Sequence, residues 1–263
     1  MQKTTAPRCV GITVAVGSPY IEIASLAAAC FSQHTGMPAL VLGDKEFAAS
    51  GLPHPAALRL LAFDHVSVDR LVYFDADWLC LQPWSPFDGI ASDIRACRDF
   101  ILQDEFPRQH YEFDSPDFLD EPRDLCHTPG ATLRYDYLGE VERFASIRLP
   151  YSAWINSGLL VLSRNHHAIW FKTALDLYLG AVGHHDTYFE QPALVKALEQ
   201  LDLRVNLLPR RFNVLSAFET RWPASVIGLH IKLKRHRAFL ESVQAGTICT
   251  PEDVRSYFAA TSR

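Results

Sequence analysis

The chain reads as an α/β protein of mainly parallel strands flanked by helices. Three observations carry that reading. Short apolar runs at Cys9–Val16, Ala39–Leu42, Arg70–Phe74 and Leu159–Leu162 have the length and composition of buried strands. Segments of helical character separate the early runs, the arrangement that joins parallel strands by crossovers. Turn and cap residues, Gly17-Ser18-Pro19 and Gly36, fall between the runs.

In chain order, Cys9–Val16 is the first strand. Ser18 is the expected N-cap, with Pro19 at the first helical position, of a helix over Tyr20–Gln33 that Gly36 closes. Ala39–Leu42 is the second strand, Pro55–Phe63 a short helix and Arg70–Phe74 the third strand. Ile94–Phe100 is read as another strand, and Ile155-Asn156-Ser157-Gly158 leads into the buried run Leu159–Leu162. Ser163 caps a helix over His166–Leu179 that Gly180 ends, and Glu190–Leu201 is a helix with Pro192 in its tolerant first turn. Arg204–Leu208 and Val226–Ile231 are two further strands, and Pro251–Ala260 is a terminal helix.

Length and composition bound the class. A chain of 263 residues suits one large domain, or a domain with a lobe. No repeat, low-complexity tract or linker divides it. We expect a single domain over 1–263 with an irregular, acidic, proline-bearing insertion at about 104–150, of the kind that often forms lids or binding loops. Apolar residues at 48% and charged residues at 21% are those of a globular protein in water. A net charge of −5 argues against strong attraction of the whole body to DNA or acidic membranes. Residues 204–237 are nonetheless basic, with Arg204, Arg210, Arg211, Arg221, Lys232, Lys234, Arg235 and Arg237. They form either a solvated face or a floor for phosphate groups.

The six cysteines show no paired spacing, so buried free thiols are expected rather than zinc or a disulfide framework. That points to a reducing, cytoplasmic compartment. Lys3 and Arg8 before Val10–Val16 faintly resemble a signal peptide, but a first strand is the better reading, and no apolar run is long enough to span a bilayer.

The most informative segment is Leu71-Val72-Tyr73-Phe74-Asp75-Ala76-Asp77-Trp78. If the strand continues, carboxylates at i and i+2 share a face. At the end of a strand in an open α/β sheet both would point into the ligand crevice. Two hard oxygen donors there suit Mg²⁺ or Mn²⁺ together with phosphate oxygens. The plain alternative is two solvated acids in a turn.

Five features follow in order: Tyr20 after the first strand, Asp75 and Asp77 after a buried strand, Asn156-Ser157-Gly158 before another, Glu190-Gln191 opening a helix, and His230 ending an apolar run. Over roughly residues 9–235 the chain resembles the metal-dependent nucleotide-sugar glycosyltransferases of GT-A fold, nearest to glycosyltransferase family 8, which implies a Rossmann-like α/β fold with a mixed, mainly parallel sheet flanked by helices. YFDADWLCLQPWSPF (Tyr73–Phe87) resembles that family's D-x-D segment, INSGLLVL (Ile155–Leu162) its F-N-x-G element, and EQPAL (Glu190–Leu194) its D-Q-D-x-L element. The C-terminal H-x-x-G-x-x-K-P-W motif is only partly matched: His230 and nearby lysines stand here, the glycine and the K-P-W end do not.

The resemblance implies transfer of a sugar from a nucleotide sugar, a UDP-sugar by preference, to an acceptor hydroxyl with retention. It implies Asp77, Asp75 and His230 as metal ligands, with Asp75 also reaching the ribose. An imidazole beside carboxylates favours Mn²⁺ over Mg²⁺. Lys232 or Lys234 would add positive charge at the leaving diphosphate. Tyr20 would stack on the nucleobase, or else pack in the core. Arg59 would touch phosphate or sugar, or else sit on the surface. Asn156 would hydrogen-bond the donor sugar, or else serve a turn; Gln191 would lie beneath the anomeric carbon. Glu190 would touch donor or acceptor hydroxyls, or else merely be a favourable acid at a helix start. The pairs His166-His167 and His184-His185 are read as surface or acceptor-side residues.

An inverting enzyme would need a carboxylate base, for which Asp186 or Glu190 could serve. The acceptor class stays open among a saccharide, a lipid-linked glycan, a small molecule and modified nucleic acid. Two rivals stand beside the transferase. A haloacid-dehalogenase-like phosphatase also places D-x-D after a buried strand, with the first Asp as nucleophile, but carries it on the first strand with a late acidic pair. A catalytically inactive sugar-nucleotide-binding protein would explain the altered C-terminal motif.

Overall fold

The third strand organises the molecule. In this computed structural model, which describes residues 8–88, 94–98, 155–181, 190–215, 225–231 and 236–261, it is β3 (Arg70–Phe74). It follows β1 (Cys9–Val14) and β2 (Ala39–Leu42) and precedes β4 (Trp78–Cys80), β5 (Ile94–Arg98) and β6 (Ile155–Ser163). Then come β7 (Val205–Leu208), β8 (Val214–Leu215) and β9 (Gly228–His230).

Six of these strands form the main sheet in the order β2-β1-β3-β6-β5-β7. β1 pairs parallel with β2 and β3, and β5 pairs parallel with β7. β6 runs antiparallel to both its neighbours. The sheet is therefore mixed and mainly parallel: the crossovers predict its parallel pairs, and the antiparallel β6 agrees with the mixed sheet that the resemblance implies.

Period-two alternation splits the apolar residues between two faces. Leu71 and Tyr73 of β3, with Leu160 and Leu162 of β6, join one cluster; Val72 and Phe74, with Leu159 and Val161, join the other. The first face is covered by the 3-10 turn Pro55–Leu61, α4 (Arg164–Ala181) and α5 (Glu190–Leu201), through residues such as Leu58, Trp170, Phe171 and Leu194. Ahead of these lie α2 (Asp44–Ser50) and α3 (Ala62–His65). The second face packs on α1 (Tyr20–Thr35), α6 (Arg237–Gln244) and α7 (Pro251–Thr261), through Ile23, Phe31, Phe239, Val254 and Phe258. Gly11 is what lets α1 approach: a Cβ there would overlap the Phe31 ring.

Strand order reverses about β1, because β2 lies on one side of it and β3 on the other, all three parallel. Such a switch leaves a crevice outside the carboxyl ends of the strands. β6 is antiparallel, and Leu159 lies opposite Phe74, so the start of β6 meets the end of β3 at that crevice. The ladder between β5 and β6 slips there, from Ala96↔Leu160 to Cys97↔Asn156, a bulge that frees the intervening residues from the regular pleat. A second, three-stranded sheet, β4-β9-β8, closes the same end.

Several local expectations change. Ser18 does not cap α1: its hydroxyl donates to Glu22 Oε1 at 2.9 Å, and Pro19 holds the capping position without a side-chain bond. Gly36 does end α1, in the left-handed region at φ 70°, with its N–H on Ser32 O at 2.9 Å. Gly180 lies inside α4 rather than closing it. Pro55–Leu61 is a 3-10 turn that passes into α3, not one α-helix. Cys30, Cys80 and Cys97 are buried free thiols, as expected, whereas Cys249 is exposed. Among the described residues no helix is long and apolar enough to cross a membrane. The acidic stretch 104–150 lies outside the described residues.

Candidate metal and donor site

β3 ends at Phe74, and the two acids that follow lie in a turn rather than along a continuing strand. Trp78 N–H bonds to Asp75 O at 3.0 Å and closes that turn. The chain then enters β4, whose Trp78 pairs with His230 of β9. Ile231 N–H donates to Asp77 O at 2.8 Å and extends the register. The small sheet thus brings His230 to the D-x-D although they are far apart in sequence. His230 Nε2 lies 3.1 Å from Asp77 Oδ1 and 3.7 Å from Asp75 Oδ2. One ligand atom from each of Asp75, Asp77 and His230 lies within 4.8 Å of the other two. Two carboxylates and an imidazole this close fit a six-coordinate divalent cation that keeps some of its waters, Mg²⁺ or Mn²⁺.

The other oxygen of Asp75 is taken. Oδ1 accepts from Tyr73 Oη at 2.9 Å and faces Arg59 Nη2 at 3.1 Å. Asp75 therefore presents Oδ2 toward the imidazole. Arg59 is buried, not on the surface. Its Nε donates to Ala56 O at 3.1 Å, and its Nη1 to Ser157 Oγ at 2.7 Å and Ser157 O at 3.3 Å. Its guanidinium lies over the Tyr73 ring, 4.9 Å from the centroid. Glu190 Oε1 is 3.8 Å from Nη2, an ion pair longer than a hydrogen bond. Burial acts to lower the Arg59 pKa, but Asp75, then Tyr73, Glu190 and Asp77, outweigh it and raise it above the ordinary arginine value. Burial above all holds the Tyr73 pKa far above the usual phenol value, so its hydroxyl remains a donor to Asp75.

Glu190 is 6% exposed at the start of α5, and its Oε2 makes no hydrogen bond among the described residues. A buried carboxylate oxygen without a donor, beside the candidate metal centre, is what a hydroxyl-bearing ligand would satisfy. Gln191 Oε1 accepts from Ser157 Oγ at 3.0 Å, which ties α5 to the start of β6. Asn156 Oδ1 accepts from Gly158 N–H at 2.9 Å, the local turn contact that its type and position allow. The same oxygen accepts from Asn213 Nδ2 at 2.9 Å, and Asn213 Oδ1 lies 3.2 Å from His230 Nδ1. A Cβ on Gly158 would stand 2.7 Å from His230 Cε1 and 2.8 Å from Asn156 Oδ1, so glycine is required where β6 passes the imidazole.

The structure brings Asp75, Asp77, His230, Arg59, Asn156, Glu190 and Gln191 together through these contacts. Tyr20 is 50% exposed at the N-terminal end of α1, which removes the core-packing reading. Lys232, Lys234, Asp186, His184 and His185 lie outside the described residues. His167 is a correction: it is buried at 2% exposure, and its Nδ1 accepts from Ser163 N–H at 2.8 Å, so it braces the β6–α4 junction. The basic stretch is not one surface either, since Arg210 is buried while Arg237 is exposed and pairs with Glu241. Tyr73, Ser157 and Asn213 are site residues that sequence reasoning did not single out. The first two sit inside the quoted motifs, and Asn213 carries no sequence signal.

No protein-family profile matches the chain. It is 30% identical over 110 residues to Genome polyprotein 2 of Barley yellow mosaic virus (isolate Germany). That match takes in 40% of this chain and 12% of the polyprotein, and it carries none of the polyprotein's activities across. Among solved structures, LgtC, a galactosyltransferase solved with donor and acceptor sugar analogs, is 12% identical over 89% of this chain and 95% of that one, at a TM-score of 0.49. The bifunctional glycosyltransferase WbbM is 12% identical over 82% of this chain and 41% of its own, at 0.48. A glycosyltransferase involved in glycosylation of the major capsid of PBCV-1 is 10% identical, covers 91% of this chain and 100% of its own, and reaches 0.52. On that last likeness, with the strand order above, the fold of this chain is the GT-A glycosyltransferase fold.

Proposed function

We propose that the chain is a metal-dependent glycosyltransferase that moves a sugar from a nucleotide sugar, a UDP-sugar, to an acceptor hydroxyl with retention. The observation that carries this reading is the meeting of Asp75, Asp77 and His230 at the ligand-binding edge of a GT-A sheet, with Arg59, Glu190 and Gln191 beside them. A bound divalent cation, Mn²⁺ by preference, supplies charge neutralisation at the leaving diphosphate. Asp75 Oδ2, Asp77 and His230 Nε2 hold it, while Arg59 and Tyr73 keep Asp75 Oδ1 turned away. Tyr20 offers an exposed ring to the nucleobase. Glu190, through its unsatisfied oxygen, and Asn156 bind hydroxyls of the donor sugar, and Gln191 lies under its anomeric carbon. Lys232 or Lys234 adds positive charge at the diphosphate. We also read 1–263 as one domain, because Ile23 near its start shares a core with Phe239 and Phe258 near its end.

The phosphatase rival is disfavoured because it needs Asp75 as nucleophile, and one oxygen of that carboxylate is held by Tyr73 and Arg59 while the other faces His230. A thermal-shift screen of nucleotide sugars with and without Mn²⁺ tests the proposal. A UDP-sugar at a hundred times its Kd should stabilise the protein by about 2.7 kcal/mol, and only with the metal present. Asp77→Asn should lose that response and all transfer while keeping its fold. Failure of every nucleotide sugar to raise the melting temperature, or an unchanged response in the Asp77 variant, would reject it.

A further inference from the structure

We infer that Asn213 is a positioning residue for the metal-binding imidazole. It holds a proton on His230 Nδ1 and so leaves Nε2 as the nitrogen that meets the cation. The inference rests on the metal-site reading proposed above.

A donor of fixed identity stands at the start of this relay. The backbone N–H of Gly158 can only donate, and it points at a terminal atom of the Asn156 amide 2.9 Å away. That atom must be the carbonyl oxygen, which fixes which way round the Asn156 amide lies. The Asn213 terminal atom 2.9 Å from the same oxygen must then be its NH₂. This leaves the Asn213 carbonyl oxygen facing His230 Nδ1 at 3.2 Å. An oxygen acceptor at that place requires Nδ1 to be the donor. The opposite nitrogen, Nε2, faces Asp77 Oδ1 and Asp75 Oδ2 at 3.1 and 3.7 Å. One backbone N–H thus sets, through two amides, which imidazole nitrogen serves the metal.

Position supports the same role. Asn213 is fully buried between the 3-10 turn Arg210–Phe212 and β8, and its backbone N–H is bonded to Arg210 O at 2.9 Å. β8 runs parallel beside β9, which carries His230, so strand pairing fixes the distance between the two side chains. A buried amide needs partners for both ends, and here each end is used. Gly158 matters twice, as the origin of the relay and as the gap through which the imidazole passes.

The test uses the full chain. Long-range ¹H–¹⁵N spectra of the wild type, metal-free and with Mg²⁺, read the two ring nitrogens separately. We expect a protonated Nδ1 in both states, with only Nε2 changing when Mg²⁺ is added. A bare Nδ1 in the metal-free protein would overturn the inference without any variant being made. Mn²⁺ titrations followed by the electron-spin signal of free Mn²⁺ give the second readout. Asn213→Ala should bind Mn²⁺ about 10–100-fold more weakly. Asn213→Asp, which keeps an acceptor for Nδ1–H, should recover part of that loss; equal affinities for the two variants would indicate a merely structural residue and overturn the inference. If the wild type and Asn213→Ala bind Mn²⁺ alike while His230→Ala does not bind it, the metal site stands and the inference falls. If the wild type itself binds no Mn²⁺, the metal-site reading falls, and the ring spectra still decide the role of Asn213.

Discussion

Replacing Arg59 by methionine removes a buried cation while keeping most of the side-chain volume, so its effect reports charge rather than a cavity. With an effective dielectric of about 20, attraction over the 3.1 Å to Asp75 is about 5 kcal/mol, and over the 3.8 Å to Glu190 about 4 kcal/mol. Most of that is offset by the cost of taking the guanidinium out of water. The net loss on removing one partner of a buried pair is about 3–5 kcal/mol. The Arg59 bonds to Ser157 and Ala56 would go as well, leaving their oxygens short of a donor. For a chain of this length about 2 °C of melting temperature is lost per kcal/mol, so Arg59→Met should melt about 5–10 °C lower. Calorimetry on Arg59→Met, Glu190→Gln and the double variant checks the cause. If the guanidinium neutralises Glu190, removing the Glu190 charge should return part of the loss, a coupling of about 0.5–3 kcal/mol. Arg59→Lys should recover little, because an ammonium cannot span Asp75, Ser157 and Ala56 together. A melting temperature within about 1 °C of wild type, or strict additivity of the two single changes, would refute this reasoning.

Three further outcomes follow from the same geometry. Burial pushes the Cys30 thiol up to about 12 and raises Cys80 and Cys97 as well. The folded state then keeps protons that the unfolded chain releases, so stability is intact below about pH 9 and falls between about pH 9 and 12, by up to about 1.4 kcal/mol per pH unit per thiol; Cys30→Ala should flatten denaturant-measured stability in that window. Gly158→Ala puts a methyl group against the His230 ring and Asn156 Oδ1, and should cost more in Mn²⁺ affinity than in melting temperature. Tyr20→Ala removes a half-exposed ring, so it should change stability by no more than about 0.5 kcal/mol while weakening nucleotide binding measured by titration calorimetry.

Much of the site was readable because its acids, asparagine and histidine sit at the ends of buried strands, where apolar runs locate them. Asp75 and Asp77 directly follow β3, Asn156 opens β6, and His230 closes β9. The reason for the D-x-D pairing was misread: a turn and the β4–β9 ladder bring the carboxylates to His230, not a continuing strand. Strands of two or three residues, such as β4 and β8, are too short to show a period, so of the small sheet only β9, inside the apolar run Val226–Ile231, was legible in the sequence. For Arg59 the sequence left a phosphate or sugar contact and a surface position both open, and its buried pairing was not legible because its partners, Asp75 and Glu190, are distant in the chain. Tyr73 reads as one more apolar strand residue until its hydroxyl is seen on Asp75. Asn213 follows Arg210-Arg211-Phe212, and nothing local marks an asparagine that meets a histidine on another strand.

One cation bound by Asp75, Asp77 and His230 is the centre of the proposed activity. Crystals soaked with Mn²⁺ and a nucleoside diphosphate, measured at the manganese absorption edge, test it most directly. A single strong anomalous peak is expected at about 2–2.5 Å from oxygens of both aspartates and from His230 Nε2, with diphosphate oxygens on its open side. A peak elsewhere, or diphosphate density at this edge of the sheet with no metal between it and Asp77, would contradict it.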